Sequence, residues 1–165
     1  MISQAITTTG QWLDKGHDTF GLLLLRLILA WEFWYAGMKK LNGENWFGHI
    51  VEQFPFPVSL LPVDLNWALA TWGELIGAAM LAFGLGTRFA ALLLIFIDVV
   101  ALISVHYSPE WTTLAELWQG YAISDKGFGN FRIPLLFLIM LLPLLFRGGG
   151  KVSLDHLVIR PLLAR

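Results

Sequence analysis

Four long apolar stretches dominate this 165-residue chain and limit what it can fold into. A helix that crosses a bilayer needs about 20 mostly apolar residues, fewer where the membrane is thin. The stretches at about residues 20–38 (FGLLLLRLILAWEFWYAGM), 66–84, 88–106 and 131–146 (FRIPLLFLIMLLPLLF) meet that need. The expected fold is all-α: one integral membrane domain over residues 1–165, built as a four-transmembrane-helix bundle. The first run starts too late and is too long for a cleavable secretion signal, so it is read as the first span. The fourth is short and carries Pro134 and Pro143, whose freed carbonyls neighbouring helices or water must satisfy. Only Gly84-Leu85-Gly86-Thr87 separates spans two and three, which predicts a tight antiparallel hairpin.

Composition agrees with burial in lipid. The chain is 56% hydrophobic and 14% charged, too little polar surface for a soluble domain of this size. A net charge of −1 provides no basic field for nucleic acid. With no cysteine, the chain cannot supply disulfides, thiolate metal sites or iron–sulfur ligands. Of the histidines only His106 lies near a span, so a bis-histidine haem is not expected, and no metal site is assigned. Intrinsic cofactors are therefore expected to be none.

Orientation follows from the Lys/Arg bias. Lys15, Arg88, Arg147, Lys151, Arg160 and Arg165 fall on one side. Lys39, Lys40, Lys126 and Arg132 fall on the other, among six acids (Glu44, Glu52, Asp64, Glu110, Glu116 and Asp125). Four spans put both termini on one side, and the bias makes that side the cytoplasm of a bacterial or archaeal inner membrane. Both outer loops predict short amphipathic interfacial helices. In the first, Trp46, Phe47, Ile50, Val51 and Phe54 share a helical face, ended by Pro55-Phe56-Pro57. In the second, Ser108-Pro109-Glu110 reads as a helix start before a face of Trp111, Leu114, Ala115 and Trp118. Plain aromatic-belt anchoring is the competing reading of these Trp residues.

Ionisable groups inside the spans carry the most information, because each costs about 2.5–3.5 kcal/mol at a helix centre on insertion scales. Glu32, Glu74 and Asp98 fall at one depth, roughly 15–18 Å from the cytoplasmic ends of three spans. Arg26 lies nearer the cytoplasm; Lys39, Lys40, His106 and Arg132 gather near the outer face. Glu74 shares its face with Ala70, Gly77 and Ala78, and Asp98 shares its face with Ala91 and Ala101, small residues that let a neighbouring helix approach. The candidate interior site is therefore Arg26, Glu32, Lys40, Glu74 and Asp98, with His106 and Arg132 as outer-face candidates. Such a site would exchange protons or hydrogen-bond a polar headgroup. The alternative is that the acids pair with Arg26 and Lys40 and only fix helix register.

Several motifs resemble the DoxX family of small four-helix membrane proteins. They are Leu25-Arg26-Leu27, then Ala36-Gly37-Met38-Lys39-Lys40-Leu41; Gly73-Glu74-Leu75, then Gly84-Leu85-Gly86-Thr87-Arg88; and the tail Gly148-Gly149-Gly150-Lys151-Val152-Ser153-Leu154-Asp155. The resemblance covers nearly the whole chain. Arg26, Lys40, Glu74 and Arg88 fall at matching positions, whereas Glu32, Asp98 and Arg132 rest on depth alone. The resemblance implies a membrane subunit linked to redox metabolism. The family's namesake belongs to a sulfur-compound:quinone oxidoreductase, and other members accompany redox-defence or metal-stress proteins. The implied role is quinone binding or proton relay for a partner oxidoreductase. The alternatives are a non-enzymatic membrane anchor in a metal-stress or redox-defence system, or a small transporter. Expected partners are the lipid bilayer, redox or stress-response subunits and further copies of the chain, with no nucleic acid.

Overall fold

A computed structural model describes residues 17–107, 112–121 and 130–163, and these are helical, with no strand among them. Helix α1 (Leu22–Leu41) continues a π-helical turn at His17–Gly21. Helices α2 (Val63–Phe83) and α3 (Thr87–Ala101) form a hairpin, and α3 runs on as a π-helical turn over Leu102–His106. Helix α4 (Leu114–Tyr121) is short, α5 (Arg132–Arg147) is long, and the tail ends in a π-helical turn, Asp155–Ile159, followed by α6 (Arg160–Leu163).

The four long helices pack as a ring: α1 touches α2 and α5, and α3 touches the same two from the opposite side. Residues spaced three and four apart build the interior. On α1 the inward stripe is Leu22, Arg26, Leu29, Phe33 and Gly37. It meets Ala78 and Leu81 of α2, Ala90, Ala91 and Leu94 of α3, and Leu141 and Leu144 of α5. The outer faces are just as apolar. Trp31 is 68% exposed, and Leu24, Ile28, Trp34, Phe83, Phe89, Phe96 and Phe146 also point outward. A helix that is apolar all round has no water-facing side. Thr19–Leu41 (mean hydropathy 1.4) and Thr87–His106 (2.5) are each long and apolar enough to cross a membrane. Helix α2 has the length, 21 residues, but carries Asp64, Asn66, Thr71 and Glu74; α5 has only 16 residues.

The α2–α3 turn works because Gly84 and Gly86 take left-handed φ values of +66° and +57°, which a Cβ disfavours. Leu85 N–H then returns to the Met80 carbonyl at 2.9 Å and closes α2.

The outer loops depart from the expected pattern in part. The first forms three 3₁₀ turns, Phe47–His49, Val51–Gln53 and Val58–Leu60, in place of one amphipathic α-helix. Aromatic packing overrides helical spacing there. Phe47 and Phe54 are both buried, their rings 5.2 Å apart, and Phe47 lies edge-on to Trp67 of α2 at 5.0 Å. Asn45 Oδ1 accepts the Phe47 N–H, and Asn66 donates to the Val58 carbonyl, which fixes the loop on the bundle. In the second loop the expected start at Ser108-Pro109-Glu110, with Trp111, lies outside the described residues. Helix α4 begins instead with a reciprocal cap: Thr113 N–H donates to Glu116, and Glu116 N–H donates to Thr113 Oγ1. Hydrogen bonds from the Thr112 and Thr113 N–H groups hold the Glu116 carboxyl below the usual glutamate range.

Candidate functional site

Two polar centres lie inside the ring, about 21 Å apart along α1 if measured from Arg26 to Lys40. The first is at the end that carries the tail. Arg26 is 2% exposed, and its guanidinium donates to four backbone carbonyls. Nε reaches Leu81 O at 2.9 Å, Nη2 reaches Ala82 O at 3.2 Å, and Nη1 reaches Val152 O at 2.8 Å and also Gly149 O. Those carbonyls belong to the end of α2, where Leu81 O also accepts the Gly84 N–H, and to the glycine-rich tail. Gly84 makes room for the group: a Cβ there would stand 2.6 Å from Arg26 Nη1.

Asp155 completes this clamp from the tail. Its Oδ1 accepts the Gly86 N–H at 2.7 Å and its Oδ2 the Thr87 N–H at 2.8 Å, so it caps α3, while its own N–H donates to Gly84 O. Ser153 Oγ donates to Gly150 O and accepts the His156 N–H, which shapes the tail that presents Asp155. Sequence reasoning missed Asp155 and Ser153 as positioning residues. Only the fixed Ser153-Leu154-Asp155 string in the tail hinted at them.

The second centre joins α1, α2 and α3. Lys40 Nζ sits 2.8 Å from Glu74 Oε2 and 2.9 Å from Oε1, and Glu74 is 5% exposed. Side chains on a helix lean toward its N-terminus, so Lys40 reaches back into the bundle and does not extend outward to the interface. Gly37, one turn earlier, permits the approach: a Cβ there would lie 2.8 Å from Leu75 Cγ and 3.3 Å from Glu74 Cβ. Asp98 of α3 is also 5% exposed. The Glu74 charge acts on it, and its Oδ2 has no hydrogen-bond partner among the described residues. A buried carboxylate oxygen without a donor is costly, on the order of a few kcal/mol.

The remaining candidates stand apart. Glu32 is half-buried at the flank of the α1 stripe, about 100° round from Phe33, and no hydrogen bond or ion pair links it to Lys40, Glu74 or Asp98. His106 ends the π-helical extension of α3, half-buried. Arg132 starts α5, its guanidinium 5.5 Å from the Tyr121 ring centre. Lys39 lies over the Tyr35 ring at 4.8 Å. Among the described residues no three His, Asp or Glu side chains are grouped to hold a metal ion.

An all-helical bundle with lipid-like outer faces, two helices fit to cross a membrane and a buried Lys–Glu–Asp centre defines the class: a small helical membrane protein with a polar interior. The chain belongs to the DoxX family, whose profile matches residues 21–107, from the start of α1 to the end of the α3 extension. It is 43% identical over 137 residues to an uncharacterized protein of Haemophilus influenzae, covering 83% of this chain and 82% of that one. No solved structure matches the chain.

Proposed function

We propose that the protein crosses the inner membrane four times, both ends in the cytoplasm, and that Lys40, Glu74 and Asp98 form a quinone-binding or proton-relaying centre serving a partner oxidoreductase. One observation carries this reading: Asp98 Oδ2 is buried within the field of the Lys40–Glu74 pair and has no hydrogen-bond partner among the described residues. Such an oxygen is completed by a proton or by a hydroxyl of a bound headgroup, the two things a quinone site must handle. Lys40 supplies the cation that keeps two neighbouring carboxyls tolerable in one apolar interior. The chain has no cysteine to carry electrons, so the electrons come from the partner. The membrane topology is supported by apolar outer faces on every long helix and by Arg88, Arg147, Lys151 and Arg160 at the tail end. Because the chain is cysteine-free, single cysteines placed at the exposed positions Lys151 and Trp46 test it: impermeant thiol reagent added to intact cells should label position 46 and not 151, and the reverse pattern refutes this orientation.

The functional test is gentle extraction followed by mass spectrometry of bound quinone in the wild type and in Glu74→Gln. Quinone held by the wild type and lost from the variant is the expected result. If neither carries quinone, and Glu74→Gln leaves partner-dependent quinone reduction unchanged, this reading fails.

A second reading, a non-enzymatic anchor for a redox-defence or metal-stress partner, is favoured by the loop end. There α4 exposes Leu114 and Trp118, and the first loop exposes Trp46, Phe56 and Leu60. Crosslinks from these segments to a partner, with Glu74→Gln inert, would select it.

A further inference from the structure

Beyond the interior centre, the tail end holds a cavity of about 220 Å³ whose lining is built from basic side chains and glycine backbone. Arg147 reaches it from the end of α5, Lys151 from the glycine stretch, and His156 and Arg160 from the tail helix, with Gly149 and Gly150 between them. Arg160 Nη1 stands 3.4 Å from His156 Nδ1, a contact that keeps these two side chains of the tail together at the cavity lining. The acid in this lining, among the described residues, is Asp155, and both its oxygens are already engaged by the Gly86 and Thr87 N–H groups. Three permanent cations thus share a concave site with a carboxylate whose charge is spent on capping α3.

We propose that this cavity binds a phosphate group. Arginine forks and a lysine ammonium converging from three segments match the several oxygens of a phosphate, and glycines let the backbone come close. The surroundings favour a phosphate carried by lipid. Leu22 lines the cavity wall, and the tail helix exposes Leu157, Val158 and Leu162 beside it, an apolar flank that would lie against acyl chains. A basic pocket at the cytoplasmic end of packed helices is where the negatively charged inner leaflet presents its headgroups. A bound phosphate would tie the tail helix to the end of α5 and so brace the segment that delivers Asp155 and the Arg26 acceptors.

The test uses the full chain in nondenaturing detergent, read by native mass spectrometry with added phosphatidylglycerol or phosphatidylcholine, and by calorimetry with inorganic phosphate. Wild type should retain phosphatidylglycerol over phosphatidylcholine. Lys151→Gln/Arg160→Gln, both exposed positions, should weaken that retention at least tenfold, while the charge-keeping Lys151→Arg/Arg160→Lys protein retains it. Inorganic phosphate binding that is lost in the same variant, without lipid retention, keeps the phosphate site and assigns it to a soluble phosphate. Retention equal in wild type and the Gln variant, or binding of neither probe by wild type, overturns the proposal. Should the Gln variant melt far below wild type, the lipid selectivity of the wild type and the charge-keeping protein decides alone, and absence of a phosphatidylglycerol preference overturns it.

Discussion

Arg26 and Asp98 are both buried ionisable groups, on helices that face each other across the ring, and they end in opposite states of satisfaction. Arg26 has four backbone carbonyls around its guanidinium, whereas Asp98 keeps an oxygen with no donor among the described residues. The first pattern is that of a strut. Every donor is directed at a backbone acceptor at the end of α2 or in the tail, so charge and structure stabilise each other. The second pattern is left incomplete by the fold and asks for something the fold does not supply. Depth in the membrane does not separate the two roles; hydrogen-bond completeness does.

The sharpest way to break that distinction is to remove the strut. Arg26→Met should be the most damaging substitution. It removes a donor from four carbonyls, of which Leu81 O keeps the Gly84 N–H while a buried one left unmet costs about 1–3 kcal/mol, and it leaves Asp155 without its nearby cation. Thermal unfolding in detergent should show a large fall in Tm or failure to fold, and Arg26→Lys should rescue little, because one ammonium cannot span acceptors on α2 and the tail. A Tm near wild type for Arg26→Met would dissolve the contrast.

Next in size is the Lys40–Glu74 pair. Removing one partner strands a buried charge and should cost about 3–5 kcal/mol, whereas removing both in Lys40→Met/Glu74→Leu should cost markedly less than either single change. Melting curves for the four proteins of this cycle give the comparison directly. Additive losses would mean the two groups do not interact in the membrane.

The smallest effect belongs to Glu116, which lies outside the bundle. Its carboxyl is held below the ordinary glutamate value of 4.5 by the Thr112 and Thr113 N–H groups. The ionised form is the one the folded cap prefers, so its contribution is fully present above that value and disappears as pH falls through the lowered one. Hydrogen exchange at the Thr112 and Thr113 amides should quicken with acidification, or with Glu116→Gln at neutral pH, while the bundle's melting stays unchanged. Exchange indifferent to both changes would show that the cap is open in solution.

Much of the scaffold was readable from residue pattern alone. Helices α1, α2, α3 and α5 cover the four apolar stretches, because the apolar runs and the Gly84–Thr87 turn mark them locally. The Lys40–Glu74 pair was within reach of the same reasoning, since both groups sit beside glycines on inward stripes. The carbonyl partners of Arg26 were not legible because they lie 55 to 126 residues away, and every residue has a carbonyl, so composition carries no trace of them. The Asp155 cap of α3, 68 and 69 residues distant, was hidden for the same reason. In the first outer loop, spacing suggested an α-helix where two phenylalanines and Trp67 of a different element determine the backbone.

The account turns on the open oxygen of Asp98, and infrared difference spectroscopy of the full chain in a lipid nanodisc tests it most directly. On adding a short-chain quinone, the carboxyl band of the wild type should shift, and Asp98→Asn, folded and melting close to wild type, should lose that shift. A carboxyl spectrum unchanged by quinone, or the same shift in Asp98→Asn, would contradict it.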